Sequence, residues 1–295
     1  MKKLINLIAI GLIGVGVSIF SNSCEKAKDG TDPDQNDGDS VTVVLNEQAG
    51  ADAVYSTEMY SQVIADVLVN TDKKDGAKSV TGGCPDVNLS PVVGYPKTLT
   101  IDYGTGCSNH GHTVKGLITA TLSDKIKKKG ATVSVSFTNF SIDTLGLDGT
   151  ISLTVDSVDL LRQIVYLQAK LMSFKLTQPK GTATLNGAMY VQWFIDSVTD
   201  YTDDTVKITS AAFSATSVKG KTFSFNVLST LVYPVSCGHI TEGKMEVQEQ
   251  GAAYPATVDF GSGSCDNIVN VCTKKEIKIA NQTLYQDFCF DVTIP

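Results

Sequence analysis

Histidine and positive charge are both scarce in this chain. Three histidines occur in 295 residues, His110, His112 and His239, and the formal net charge is −7. That acid surplus excludes a nucleic-acid partner, because phosphate binding needs a basic stripe. The one lysine run, residues 127–129, precedes Gly130 and reads as a solvated hairpin tip. Catalytic signatures are missing as well. No G-x-S-x-G elbow occurs, and the serines between Gly261 and Cys265 lack the strand-turn-helix setting an elbow requires. Asp259-Phe260-Gly261 matches a kinase tripeptide but has no phosphate loop, strand lysine or catalytic loop beside it. The sequence asks for no cofactor. A metal site has one route, His110 and His112 joined by His239, and exposed polar turns account for the same three residues.

What is present starts with an export signal. Lys2 and Lys3 precede an apolar stretch from Leu4 to Phe20, followed by small polar residues. This is the layout of a removed secretory leader, residues 1–23, and is marginal for a membrane span, which needs about 20 apolar residues. Ser23-Cys24 resembles a bacterial lipobox, in which the chain is cut before a cysteine that is then lipidated. Ser21 stands where the lipobox usually has Leu, a relaxed form similar to those of Bacteroidetes lipoproteins. The resemblance implies a lipid on Cys24 and stable anchoring, since one acyl chain alone holds only marginally. Residues 24–40 then read as an acidic, flexible tether with too little apolar surface to offset its ordering entropy. Its acids also resemble a surface-export signal. Asp32, Asp34 and Asn36 open like a calcium loop, but Asp37 and Val43 stand where that loop needs Gly and Glu.

Six cysteines remain besides Cys24: Cys84, Cys107, Cys237, Cys265, Cys272 and Cys289. An even number in an exported chain implies disulfides. An internal repeat suggests their pairing. "YPKTLTIDYGTGC" (95–107) and "YPATVDFGSGSC" (254–265) share Tyr-Pro, a β-prone run, Asp, an aromatic residue, Gly-x-Gly and Cys, and each follows an earlier cysteine. The parallel pairs Cys84 with Cys107 and Cys237 with Cys265, which leaves Cys272 for Cys289. Each copy reads as a strand ending in a stapled turn. Glycine supplies the turn and Asp satisfies its N–H groups. The functional alternative is a pair of catalytic acids, Asp102 and Asp259.

Elsewhere, period-two alternation marks strands with one buried face, as in Val133/Val135/Phe137, Ile151/Leu153/Val155, Met189/Val191/Trp193/Ile195 and Phe223/Phe225/Val227. Lys129-Gly130, Asp148-Gly149, Asn186-Gly187 and Lys219-Gly220 read as hairpin turns. About a dozen strands are expected, more than an open twisted sheet holds without curling or splitting. Residues 48–70 place Tyr60, Val63, Ile64, Val67 and Leu68 on one helical stripe and Glu58, Gln62 and Asp66 largely off it. The expected fold is mainly β: an antiparallel meander curled into a barrel-like or two-layer sheet. One N-terminal amphipathic helix packs on it, in a single domain over residues 41–295.

The leader, the helix, "GCPDV", the two repeat copies and the strand runs together resemble a group of uncharacterised Bacteroidetes lipoproteins built on long β-strands. The resemblance covers most of the mature chain, and its most specific parts are the Asp-aromatic-Gly-x-Gly-Cys pieces. It implies no activity and no catalytic residues. The expected function is a lipid-anchored envelope protein at the outer membrane, periplasmic or surface-exposed. Its expected role is binding or structural, toward a glycan, a lipid or another envelope protein. The alternative is an exported hydrolase using carboxylate acid/base catalysis.

Overall fold

The computed structural model describes residues 41–42, 47–72, 84–109, 112–179, 181–196, 201–279 and 282–294. The leader, Cys24, the acidic tether with its calcium-like opening, and His110 lie outside the described residues.

Among the described residues, fifteen strands form one antiparallel sheet. β1 (Val41–Thr42) precedes the helix α1 (Glu47–Asp72). The first arm holds β2 (Asp86–Ser90), β3 (Lys97–Asp102), β4 (Cys107–Asn109), β5 (His112–Leu122) and β6 (Thr132–Ile142). The long central strands are β7 (Leu145–Asp159), β8 (Ile164–Gln178), β9 (Gly181–Phe194), β10 (Thr205–Thr216) and β11 (Thr222–Pro234). The second arm holds β12 (Glu242–Glu249), β13 (Ala256–Ser262), β14 (Ile268–Ile279) and β15 (Gln282–Thr293). From β5 to β15 each strand pairs with the next, so the topology is a meander. The sheet is not closed: its order runs out at β2 on one side and β15 on the other, and these two do not pair.

Alternation decides the inner face. Val133, Val135, Ile151, Leu153, Val155, Met189, Val191, Trp193, Phe223 and Phe225 are all buried. Burying each large apolar side chain stabilises by roughly 1.5–3 kcal/mol. Trp193 also needs a partner for its N–H when enclosed, and it donates to the buried Asp204 carboxylate at 2.8 Å.

The helix is enclosed by the sheet. It contacts β3 in the first arm, the central strand β11, and β12 to β14 in the second arm, although six strands separate β3 from β11 in the sheet order. No described side chain from residue 49 to 71 is exposed. The polar positions of the helix are therefore not on an exposed face: Glu58 and Gln62 are buried and Asp66 is half-buried, and Asp52 is buried as well. Tyr60 stacks on Phe213, which stacks on Phe225, and this continues to Phe223.

Two of the four expected hairpin turns are not turns. Lys129-Gly130 and Lys219-Gly220 do lie between strands, with Gly130 at φ 83° and Gly220 at φ 75°. Asp148-Gly149 falls inside β7 and Asn186-Gly187 inside β9. The actual turn between β6 and β7 is Asp143-Thr144. Both interior glycines sit at irregularities in strand register. A Cβ on Gly149 would lie 2.6 Å from the Ser173 carbonyl oxygen, and one on Gly187 would lie 2.4 Å from that of Ala212. Asn186 Oδ1 accepts the Ser173 N–H at 2.8 Å. Register shifts recur at Lys115/Leu117, Ser136/Phe140, Asp148/Thr150 and Leu171/Phe174, crossing from β5 to β9. Bulges bend a strand and increase its twist. A row of them accounts for a sheet that curls around its helix.

Candidate functional site

Two groups of polar residues stand out, one inside the curl and one on its outer surface. The inner group is built on α1. Glu58 accepts the Ile240 N–H on both carboxylate oxygens, each at 3.1 Å. Burial raises its pKa well above the ordinary 4.5, and the Ile240 hydrogen bond offsets this only in part. Asp66 accepts the Tyr103 hydroxyl at 2.9 Å. Burial, then the charges of Asp66 and Glu58, raise Tyr233 as well. Asp52 accepts from Gln178 Nε2 and the Val218 N–H, both at 3.2 Å. These acids therefore join the helix to strands and turns on both arms. A buried carboxyl that shifts toward neutrality costs far less than a buried charge. Among the described residues, Gln62 Nε2 is buried without a hydrogen-bond partner.

The outer group surrounds a cleft of about 630 Å³ lined by Lys244, Asp259, Ser262, Asp266, Ile268 and Asn270. Lys244 on β12 stands opposite Asp259 on β13, which stands opposite Asn270 on β14. Lys244 Nζ is 2.7 Å from Asp259 Oδ2, and the Gly261 N–H donates to Asp259 Oδ1 at 3.0 Å. Partial burial pushes the Asp259 carboxyl up, but the Lys244 ammonium and the Gly261 N–H together hold it below the usual range. Asp266 accepts the Ile268 N–H at 3.2 Å. Asn270 donates to Asp291 at 2.9 Å.

The loop between Ser262 and Asp266, both in the cleft wall, carries Cys265. It is bonded to Cys237 in the turn between β11 and β12. His239 Nε2 lies 3.4 Å from Cys237 Sγ. The other bridges are Cys84–Cys107 and Cys272–Cys289, so the three pairs are those the repeat suggests.

Asp102 does in the first copy what Asp259 does in the second. Its Oδ1 accepts the Gly104 N–H at 2.7 Å. Asp102 thus caps the turn after β3, whereas Asp259 sits inside β13, which runs on to Ser262, and holds Gly261 at a register shift against β12; the two strands lie near opposite ends of the sheet order. His112 lies 3.0 Å from Asp143 Oδ2 at the start of β5. Among the described residues it does not gather with His239 into a ligand set. The one group with metal-ligand proximity among the described residues is Cys237, His239 and Cys265, and its sulfurs are bonded to each other. Lys128, in the lysine run, pairs with Asp124 at the hairpin tip.

The histidine beside Cys237 was visible in the sequence only as a spacing of two. Lys244 and Asn270 carry no motif, because register alone brings them to Asp259. No family model, curated protein or solved structure matches the chain.

Proposed function

We propose that this chain is a lipid-anchored cell-envelope protein, tethered at the outer membrane through Cys24, whose folded body binds a ligand and does not catalyse. The leader and the relaxed lipobox around Cys24 motivate the anchor. Three disulfides support an exported, oxidising destination.

The binding reading is carried by the state of the cleft's charged groups. Asp259 is held by Lys244 and a backbone N–H, and Asp266 by a backbone N–H. A general acid must hold a proton near neutral pH, and Asp259 is shifted the other way. An open wall of fixed donors and acceptors suits a hydroxyl-rich ligand, and a glycan is the best chemical fit. On the same arm Tyr254 and Tyr285 form a partly exposed aromatic pair, with ring centres 4.8 Å apart.

Two experiments test this reading. Mass analysis of the mature protein is expected to show acylated Cys24 at the N-terminus, and Cys24→Ala is expected to move the protein from the membrane to the soluble fraction. An unmodified Cys24, or a variant that still sediments with membrane, contradicts the anchor. Screening the full chain in detergent against envelope polysaccharides is expected to give binding that weakens in Lys244→Ala and Asn270→Ala. Hydrolysis of a polysaccharide that disappears in Asp259→Asn would replace binding with catalysis.

A further inference from the structure

The three disulfides differ in what surrounds their sulfurs. Each bridge joins an exposed cysteine (Cys84, Cys265, Cys289) to a half-buried one (Cys107, Cys237, Cys272), but Cys237 has the His239 imidazole 3.4 Å from its sulfur, and Cys265 sits on the loop beside the cleft. Among the described residues no histidine gathers with Cys84–Cys107. Cys272–Cys289 joins two adjacent strands, and among the described residues no histidine gathers with it. Among the described residues, one bridge thus has an imidazole against its half-buried sulfur and an exposed partner sulfur.

We propose that Cys237–Cys265, with His239, is a thiol–disulfide exchange site that reacts with an external dithiol at Cys265. This goes beyond the ligand-binding reading and does not depend on which ligand the cleft takes. One thiolate of the dithiol attacks Cys265 Sγ. A bond forms between the external sulfur and Cys265, the Cys265–Cys237 bond breaks, and its electron pair passes to Cys237 Sγ. Protonated His239 stabilises that thiolate or transfers the Nε2 proton to it. The second thiolate of the dithiol then attacks the first, releasing Cys265 as a thiolate that takes a proton from solvent. The dithiol leaves oxidised to a disulfide, and the protein bridge has gained two electrons and two protons. A leaving thiol of lower pKa leaves faster, and a neighbouring imidazolium lowers it. The direction of attack follows from access, since Cys265 is the exposed partner. The turn that carries Cys237 is also held by Cys237 N–H and Gly238 N–H bonds to the Pro234 carbonyl. It therefore keeps its shape when the bridge opens, and the reaction can reverse.

The test uses the oxidised full-length protein. It is treated with limiting dithiothreitol over a pH series and quenched with N-ethylmaleimide, and each cysteine's labelling is mapped by mass. Cys237 and Cys265 are expected to label roughly tenfold faster than the other four described cysteines, and His239→Gln to remove most of that advantage below neutral pH. The rates at Cys84–Cys107 and Cys272–Cys289 should not change in the variant, which separates loss of the imidazole from loss of the fold. A monothiol such as glutathione should leave its adduct on Cys265. Equal rates at the three bridges, an unchanged rate and pH profile in His239→Gln, or an adduct on Cys237 would each overturn the proposal.

Discussion

The two stapled turns share a local design and differ in their neighbours. In each, an aspartate accepts the N–H of the glycine two residues on, at the end of β3 in the first copy and inside β13 at a register shift in the second. In each, a disulfide ties the turn to a segment upstream, with Cα atoms 5.9 and 5.8 Å apart. Each Tyr-Pro tyrosine even has a lysine near its ring face, Lys97 over Tyr95 and Lys274 over Tyr254. The peptide bond is cis at Tyr95-Pro96 and not at Tyr254-Pro255. Among the described residues, only the second copy pairs its aspartate with a lysine on the neighbouring strand, borders the cleft, and sets an imidazole against a bridge sulfur. Its upstream turn also reaches inward, because Ile240 holds Glu58. The motif builds the turn, and the chemistry comes from what the meander places beside it.

If the two turns are structurally equivalent, breaking either staple should cost about the same. The closed segments span 23 and 28 residues. Cys84→Ala/Cys107→Ala and Cys237→Ala/Cys265→Ala are each expected to lose about 2–5 kcal/mol in denaturant unfolding. A large inequality would mean that one copy is not merely a stapled turn.

The inward reach of the second copy gives the next largest effect. Glu58→Ala leaves the buried Ile240 N–H unpaired and is expected to lose about 1–3 kcal/mol, with Glu58→Gln much closer to wild type. The pH dependence has a definite sign. Folding raises the Glu58 pKa above 4.5, so the folded state binds its proton more tightly. Stability contributed by this group falls as pH rises from about 4.5 to the folded value, and Glu58→Gln flattens that slope. Unfolding midpoints measured across that window check it.

The turn aspartates come next. Asp102→Ala and Asp259→Ala each remove one side-chain to backbone hydrogen bond and are expected to cost about 1 kcal/mol. The smallest effect separates the copies by pH. Asp259 is depressed below 3.8 in the folded state. Its contribution is present above that value and is lost as pH falls through the folded pKa. Lys244→Met should shrink this acid-side loss without touching the first copy, which acid unfolding curves would show.

Much of this molecule was legible in its sequence. Alternating Val133/Val135 or Ile151/Leu153/Val155 can only put one face inside, and the structure buries those residues. The repeat indicated the bridges because each copy carries one cysteine upstream and one at its end. Asp148-Gly149 and Asn186-Gly187 misled because the chemistry that favours a hairpin tip also favours a bulge. In both settings a residue without a Cβ lets another backbone come close, and only the partner strand decides which is built. The enclosed helix was illegible for a related reason. Glu58, Gln62 and Asp66 look like a solvent face until Ile240 and Tyr103 arrive from turns distant in the sequence to meet two of them. The cleft follows the same pattern, since Lys244, Asp259 and Asn270 are united by register and by nothing local.

The most direct measurement is the ratio of reduction rates of Cys237–Cys265 and Cys84–Cys107 within one sample, at about pH 6.5, where an imidazole is partly protonated. With equivalent turns and one reactive bridge, the ratio is roughly ten or more and falls toward one in His239→Gln. A ratio near one in the wild-type protein would contradict it.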